Sequence, residues 1–379
     1  MTLRRSPLDP LHRARGAQWM TYQGWEIPRA FGDWQREYEA LTAHVGLLDL
    51  SYRGRFRIVG RDRRTWLHNM VSQDVLHLPT GESAYATLLT PQGHLVTDLR
   101  IFALEDSFLV DVPAATADLL VPHLDRYIIM ERVAIEPITD ELAHLSLQGP
   151  LAAMALSTCL GEDLRRLALG RIRTFNDRGV DLLCARMSHC GEDGFDLFIP
   201  SAHAPEFWGH LASRRPEFGI EAVGWEALNV RRIEGGIPWW GHELDGRIVP
   251  FEAGLERSAI STTKGCYIGQ EVVARILARG QVNNLLVGLL LTGDRLPEAE
   301  IPILAAGKPI GRITSAAHSP ALDRGIALGF VRRAYAAPGT ALAVGTEPPI
   351  EATVAALPFV PPRLPQERQV AAESRRRRG

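Results

Sequence analysis

Lys264-Gly265-Cys266-Tyr267-Ile268-Gly269-Gln270-Glu271 is the densest run of chemistry-bearing residues in the chain. Two glycines flank a cysteine, a lysine stands two positions before it, and the apolar run Val272-Val273-Ala274 follows. A glycine-rich turn that runs into a helix presents free backbone N–H groups and the positive end of the helix dipole. Such a place, with an ammonium nearby, favours a thiolate and makes a cysteine reactive. Cys266 and Lys264 are therefore the first candidate functional residues, although a lone cysteine also reads as a small buried filler. Lys264 stands out for a second reason: of 42 basic residues only Lys264 and Lys308 are lysines. Where Arg has displaced Lys almost everywhere, a retained Lys points to a compact ammonium that a guanidinium does not replace.

Outward from this run the chain divides by pattern. After it, from about residue 280, short apolar runs alternate with turn signals: 285–291, 303–304, 310–314, 326–331, 341–344 and 354–357. That spacing predicts an all-β barrel or sandwich over 281–360. Before it, strands and helices mix. A helix is expected at 34–40, a strand at 51–59, and a helix from Asp62 with Trp66, Leu67, Met70 and Val71 on its apolar face. A hairpin over 84–102 turns at Pro91-Gln92-Gly93, a strand follows at 107–112, and a helix at 114–130. Further on, a strand ends at Gln148-Gly149-Pro150, strands at 181–186 and 195–199 bracket Gly191-Glu192-Asp193-Gly194, and 222–235 reads as helix. The fold class is thus α+β, and no glycine fingerprint of a dinucleotide-binding unit follows a first strand.

Composition narrows the function. The 379 residues carry 42 Lys+Arg against 44 Asp+Glu, with 46% hydrophobic residues, as in an ordinary globular protein of two or three domains. No run nears the ~18 apolar residues of a membrane span, and the N-terminus lacks the apolar core of a secretory signal. Four cysteines, Cys159, Cys184, Cys190 and Cys266, without C-x-x-C spacing argue against a zinc ribbon and fit a reducing, cytoplasmic setting. No metal site is expected; Cys184, His189 and Cys190 lie on one strand and its turn, without a second ligand pair. The segment 361–379 is expected to be a disordered Arg-rich tail, ending in Arg375-Arg376-Arg377-Arg378. Its few charges, without interleaved aromatics, argue against a nucleic-acid role.

The octad resembles the signature of YgfZ-type folate-binding proteins, relatives of the glycine-cleavage T-protein (aminomethyltransferase). Other stretches resemble T-protein motifs. Gly24-Trp25-Glu26-Ile27-Pro28 is similar to the N-terminal G-W-x-x-P, and Tyr85 to Leu99 to the tyrosine–glycine–aspartate hairpin. Gly191 to Asp196 resembles G-E-D-G-F-E, and Arg232 to Gly236 resembles R-L-E-A-G. The resemblance implies a three-domain cloverleaf around a central tetrahydrofolate pocket. The parts would be 1–50 with 141–280, an inserted 51–140, and the barrel 281–360. It implies catalytic or reactive roles for Asp98, Cys266 and Lys264, and folate contacts from Tyr85, Asp98, Asp196 and Arg232. Two departures pull in one direction. Leu228 stands where the T-protein has a folate-contacting arginine, for which Arg231 is a substitute, and the T-protein has no cysteine in the octad. The function expected first is tetrahydrofolate binding in support of iron–sulfur cluster assembly or repair, with assembly proteins or client enzymes as partners. The alternative is a tetrahydrofolate-dependent aminomethyl or methyl transferase. Trp239 and Trp240 are candidate pocket walls, and His242 reads as structural.

Overall fold

The computed structural model describes residues 2–364, so most of the expected Arg-rich tail lies outside the described residues. Just before that limit the exposed Arg363 still touches the fold, donating from Nε to Glu192 at 3.1 Å.

A six-stranded sheet runs in the order Ile172–Asp177, Val180–Arg186, Gly194–Pro200, Leu142–Gln148, Val45–Asp49, Ile220–Ala222. Side chains alternate across a strand, so each strand serves two faces. One face sends Leu145, Leu147, Leu182, Phe195 and Leu197 into a core with the helices Ala152–Leu160 and Ala204–Ser213. The other face carries Leu183, Ala185 and Phe198 against Phe102 and Leu109 of a second sheet. Because that face is also buried, its polar members His144, Ser146 and Asp196 are enclosed as well.

The second sheet has five strands, ordered Ser83–Leu89, Leu95–Ala103, Phe108–Val112, Gly54–Val59, Ala134–Pro137. Its hairpin pairs Tyr85 with Arg100 and Thr87 with Asp98. Ala86, Leu88, Leu99 and Ile101 point into a core with the helices Arg63–Met70 and Ala114–Asp125. Alternation then turns Tyr85, Asp98 and Arg100 to the opposite face. The third body is a closed barrel of Asn284–Leu291, Arg324–Arg332, Lys308–Ser319, Pro302–Ala305, Ala341–Val344 and Ile350–Ala355. The helix Trp225–Glu234 joins the parts: Val230 and Ile233 pack on Ala317, Ile326 and Leu328 of the barrel. The α+β body and terminal barrel expected from the sequence are both present.

Several boundaries differ; the strand expected over 51–59, for one, begins at Gly54. The helix expected over 114–130 ends at Asp125, beyond which the Trp66 indole N–H donates to the Tyr127 carbonyl at 3.1 Å. The helix expected over 222–235 begins at Trp225, because Ala222 pairs with Leu47 in the six-stranded sheet. The last barrel strand is Ile350–Ala355, not 354–357; Ile350, Ala352 and Val354 face inward between exposed Glu351 and Thr353. An alternating strand hides from a search for continuous apolar runs.

Candidate functional site

A cavity of ≈ 270 Å³ opens where the two sheets, the N-terminal hairpin and the Gly236–Ser258 connection meet. That is near the lower end of small-molecule pockets, ~300–1,000 Å³, and suits one flat ring system rather than an elongated molecule. Five aromatic side chains stand in its wall, Tyr22, Tyr52, Tyr85, Trp239 and Trp240. Tyr22 and Gln23 stand at the tip of the hairpin Gln18–Tyr22 and Trp25–Ala30. Gln23 has φ +49 and Gly24 φ +83, a left-handed pair that suits a tight two-residue turn. The Gln23 amide then donates to the Trp240 carbonyl at 2.8 Å and accepts from the Ala115 N–H at 3.1 Å. Gln23 therefore ties three segments of the wall together.

Asp98 is the carboxylate of this cavity. It is 8% exposed and accepts the Tyr85 hydroxyl on Oδ2 at 3.0 Å. Its Oδ1 is buried and has no hydrogen-bond partner. Burial raises the Asp98 pKa, against the opposing pull of Arg53, Tyr85 and Arg100. Arg53 and Arg100 line the same cavity, and Arg53 is held by an ion pair from Nε to Asp111 at 2.6 Å. Burial also pushes the Tyr22 and Tyr85 phenols up, so both remain protonated donors at neutral pH. The arrangement is a buried carboxylate with one unmet acceptor, flanked by two guanidinium groups and aromatic side chains. It would accept an N–H from a heteroaromatic guest and stabilise positive charge beside it.

The other residues singled out by sequence occupy three further places. Asp196 is fully buried behind the cavity wall; His189, which does line the cavity, points Nε2 at both its oxygens at 2.9 Å. Arg232 is fully buried and its donors are taken by Asn229 at 2.8 Å, Ser315 at 2.6 Å and Glu243. Arg231, the substitute for the missing arginine, is paired with Glu192 at 2.8 Å and Glu234 at 2.5 Å. Leu228 is packed among Trp25, Leu48 and Trp239. Sequence reading missed His189, Arg53 and Arg100 as cavity residues; a histidine two residues before the Gly191–Asp196 motif was the available signal for the first. His242 stacks on Trp225 and Tyr22, and burial lowers its pKa to about 4, so it is a neutral aromatic.

Lys264 and Cys266 do not line this cavity. The Lys264 ammonium reaches the C-terminal end of the helix Arg63–Met70, donating to the carbonyls of His68, Val71 at 2.5 Å and Gln73 at 3.2 Å. Three carbonyls converging at a helix C-terminus form a seat for a compact cation. Burial lowers its pKa to about 8, which leaves it charged at neutral pH. Gly269, with φ +83, lies against the hairpin tip, where an added Cβ would meet the Thr90 carbonyl oxygen at 2.7 Å. The octad thus braces the tip of the hairpin whose strands carry Tyr85 and Asp98. Cys266 is an exposed free thiol on this brace. We expect Lys264→Arg to destabilise the fold by about 1–3 kcal/mol, because a planar fork cannot satisfy three carbonyls at one point. Chemical denaturation checks it; unchanged stability would mean that a guanidinium serves as well in this seat.

Comparisons with known proteins agree with this architecture. Residues 8–264 match the family model described as the GCVT N-terminal domain, and 285–361 match the glycine cleavage T-protein C-terminal barrel domain. An aminomethyltransferase of Streptomyces avermitilis is 32% identical over 363 residues, covering 94% of this chain and 97% of that protein. One of Rubrobacter xylanophilus is 34% identical over 332 residues, covering 87% of each. The crystal structure of glycine cleavage system aminomethyltransferase T from Bartonella henselae superposes with a TM-score of 0.88 at 25% identity, over 95% of this chain and 99% of that one. These relatives support the T-protein group as a whole and do not single out its YgfZ-type branch. Among the described residues no helix is long and apolar enough to cross a membrane. Sheet order, barrel and both sequence matches lead to one statement: the chain belongs to the glycine cleavage T-protein family.

Proposed function

We propose that this protein is a tetrahydrofolate-dependent one-carbon transferase, with aminomethyl transfer as its reaction. The family uses tetrahydrofolate as substrate or cofactor. The observation that carries the reading is the buried, unpartnered Oδ1 of Asp98 in an aromatic cavity of pterin size. The residues present fit such a guest: Tyr22, Trp239 and Trp240 offer flat faces, and Asp98 offers the free acceptor. When bound, the folate supplies the nitrogen N5 that takes up the one-carbon unit. The protein's own part is electrostatic. Asp98 faces the position where positive charge develops, Tyr85 fixes its orientation, and Arg53 and Arg100 oppose the burial that raises its pKa. Preorganised groups of this kind need no reorientation as the reaction proceeds. Asp196 would act from behind by orienting His189, and Arg232 would act by fixing the wall segment Gly236–Trp240 through Glu243. The test is a titration with tetrahydrofolate followed by tryptophan fluorescence, then product analysis with an aminomethyl-loaded carrier protein. Saturable quenching with product formation supports the reading, and saturable binding without product from any one-carbon donor ends it.

A second reading, the YgfZ-type role in iron–sulfur maintenance, is favoured by one observation, the exposed free thiol of Cys266 in the octad. Under it, Cys266→Ser keeps folate affinity within about twofold, since the residue does not line the cavity. The same variant would lose support of iron–sulfur enzymes in a deletion strain. Full rescue by it would remove the thiol from the mechanism.

A further inference from the structure

Behind the cavity wall, three side chains from adjacent segments turn toward one point. His144 lies on Leu142–Gln148 and pairs with Phe198; Asp196 lies two residues before Phe198 on the neighbouring strand Gly194–Pro200. Residues so related are diagonal neighbours on one face of a sheet, within reach of each other's long side chains. His189 comes from the connection that precedes that strand. The ligating atoms of His144, His189 and Asp196 all lie within 4.8 Å of one another, and all three residues are buried. His144 Nε2 is 3.2 Å from Asp196 Oδ2, and His189 Nε2 is 2.9 Å from it.

Two features separate this cluster from an ordinary hydrogen-bonded core. Both ring nitrogens of His144 are buried without a hydrogen-bond partner, so its approach to Asp196 has the distance of a contact but not the alignment of an N–H···O bond. Its other nitrogen faces Asp111 Oδ1 at 3.6 Å, and that oxygen is also unpartnered. The order carboxylate, imidazole, convergent point is the arrangement that orients a metal-ligating histidine. In addition, Asp196 is 0% exposed, and among the described residues its charged or chargeable contacts are the two imidazoles. A carboxylate with that burial needs a cation beside it. Arg53, which meets the network through Asp111, is committed to that carboxylate.

We propose that His144, His189 and Asp196 form a binding site for a first-row divalent cation at the back of the cavity, with Asp111 as the outer partner of His144. Two imidazoles and one carboxylate suit Zn²⁺ or Fe²⁺ and disfavour Ca²⁺ and Mg²⁺, which take oxygen ligands. Ligand atoms ~2.1 Å from a metal are ~3.0 Å apart at a right angle and ~3.4 Å apart in a tetrahedron. The His144 contact to Asp196, 3.2 Å, falls between these limits, and the His189 contact, 2.9 Å, lies just below the lower one. Cys184 and Cys190 are buried nearby in the chain but are not members of the cluster.

The experiment uses the full chain, stripped with a chelator and titrated with Zn²⁺ against a competing dye, then with Co²⁺ followed by visible absorption. One equivalent of each is expected, with the Co²⁺ bands of a nitrogen–oxygen site. Asp196→Asn and His144→Gln should weaken Zn²⁺ at least tenfold, and Asp111→Asn by about 10–100-fold. Because buried variants can fail to fold, zinc-edge X-ray absorption of the wild-type protein is the companion measurement. Two imidazoles with oxygen and no sulfur support the site. No stoichiometric binding, or sulfur in the coordination shell, overturns it and leaves a hydrogen-bonded His–Asp–His network.

Discussion

Asp98→Asn should lower one-carbon transfer by about 10²–10³-fold while tetrahydrofolate remains bound, the loss typical of removing one preorganised electrostatic group. The cavity shape is unchanged by the swap, and the Tyr85 hydroxyl keeps an oxygen acceptor. What disappears is the negative charge. Burial raises the Asp98 pKa, so the wild-type rate should fall with acid through a midpoint above the ordinary carboxylate value of ~4. The Asn variant should lack that acid limb. Stability should move the opposite way. A carboxyl whose pKa is higher folded than unfolded binds more protons in the native state, so folding loses stability as pH rises through that interval. At neutral pH Asp98 therefore carries a cost that Asn does not, and the variant should melt no lower than wild type. Rate, pH profile and melting point together decide the role. A destabilised variant with an unchanged rate would make Asp98 a structural residue.

Much of this site follows from alternation. Ala86, Leu88, Leu99 and Ile101 mark one hairpin face as core, which sends Tyr85, Asp98 and Arg100 to the other. The local pattern does not say what that other face meets; the sheet behind it and the Trp239–Trp240 segment arrive from far along the chain. His189 is hidden for a related reason: it sits in an irregular connection where no period assigns a face. Lys264 is visible through composition alone, yet its carbonyl partners His68, Val71 and Gln73 are nearly two hundred positions away. The arginines are the hardest to read. A guanidinium in a motif can address a ligand or a buried carboxylate, and the residue type does not distinguish them. Arg231 meets Glu234 one helical turn on, but its other carboxylate, Glu192, is 39 positions away and the Glu243 that meets Arg232 is 11 away in an irregular segment.

That assignment gives the second large effect, at Arg232. Arg232 and Glu243 are both fully buried where the Trp225–Glu234 helix meets the barrel. Glu243 also accepts from Thr314 at 2.9 Å, from Ser315 at 2.6 Å and from the Trp239 N–H at 3.1 Å. One carboxylate thereby holds the helix, the cavity wall and a barrel strand. Burial opposes its charge, but Arg232, Ser315, His242 and the Trp239 N–H together keep its pKa below the usual value. By linkage this stability is present at neutral pH and is lost as acid approaches the folded pKa. Arg232→Ala would leave the carboxylate dry and unpaired, an expected cost of about 3–5 kcal/mol in chemical denaturation. Arg232→Met combined with Glu243→Gln removes both charges and should recover most of that loss, since a buried pair contributes less than its breakage costs. Folate affinity separates the two roles of Arg232. If the residue acts by fixing the wall, affinity falls in Arg232→Ala and returns in the double variant along with stability. If it contacts folate directly, the double variant regains stability alone, because methionine cannot replace a guanidinium donor.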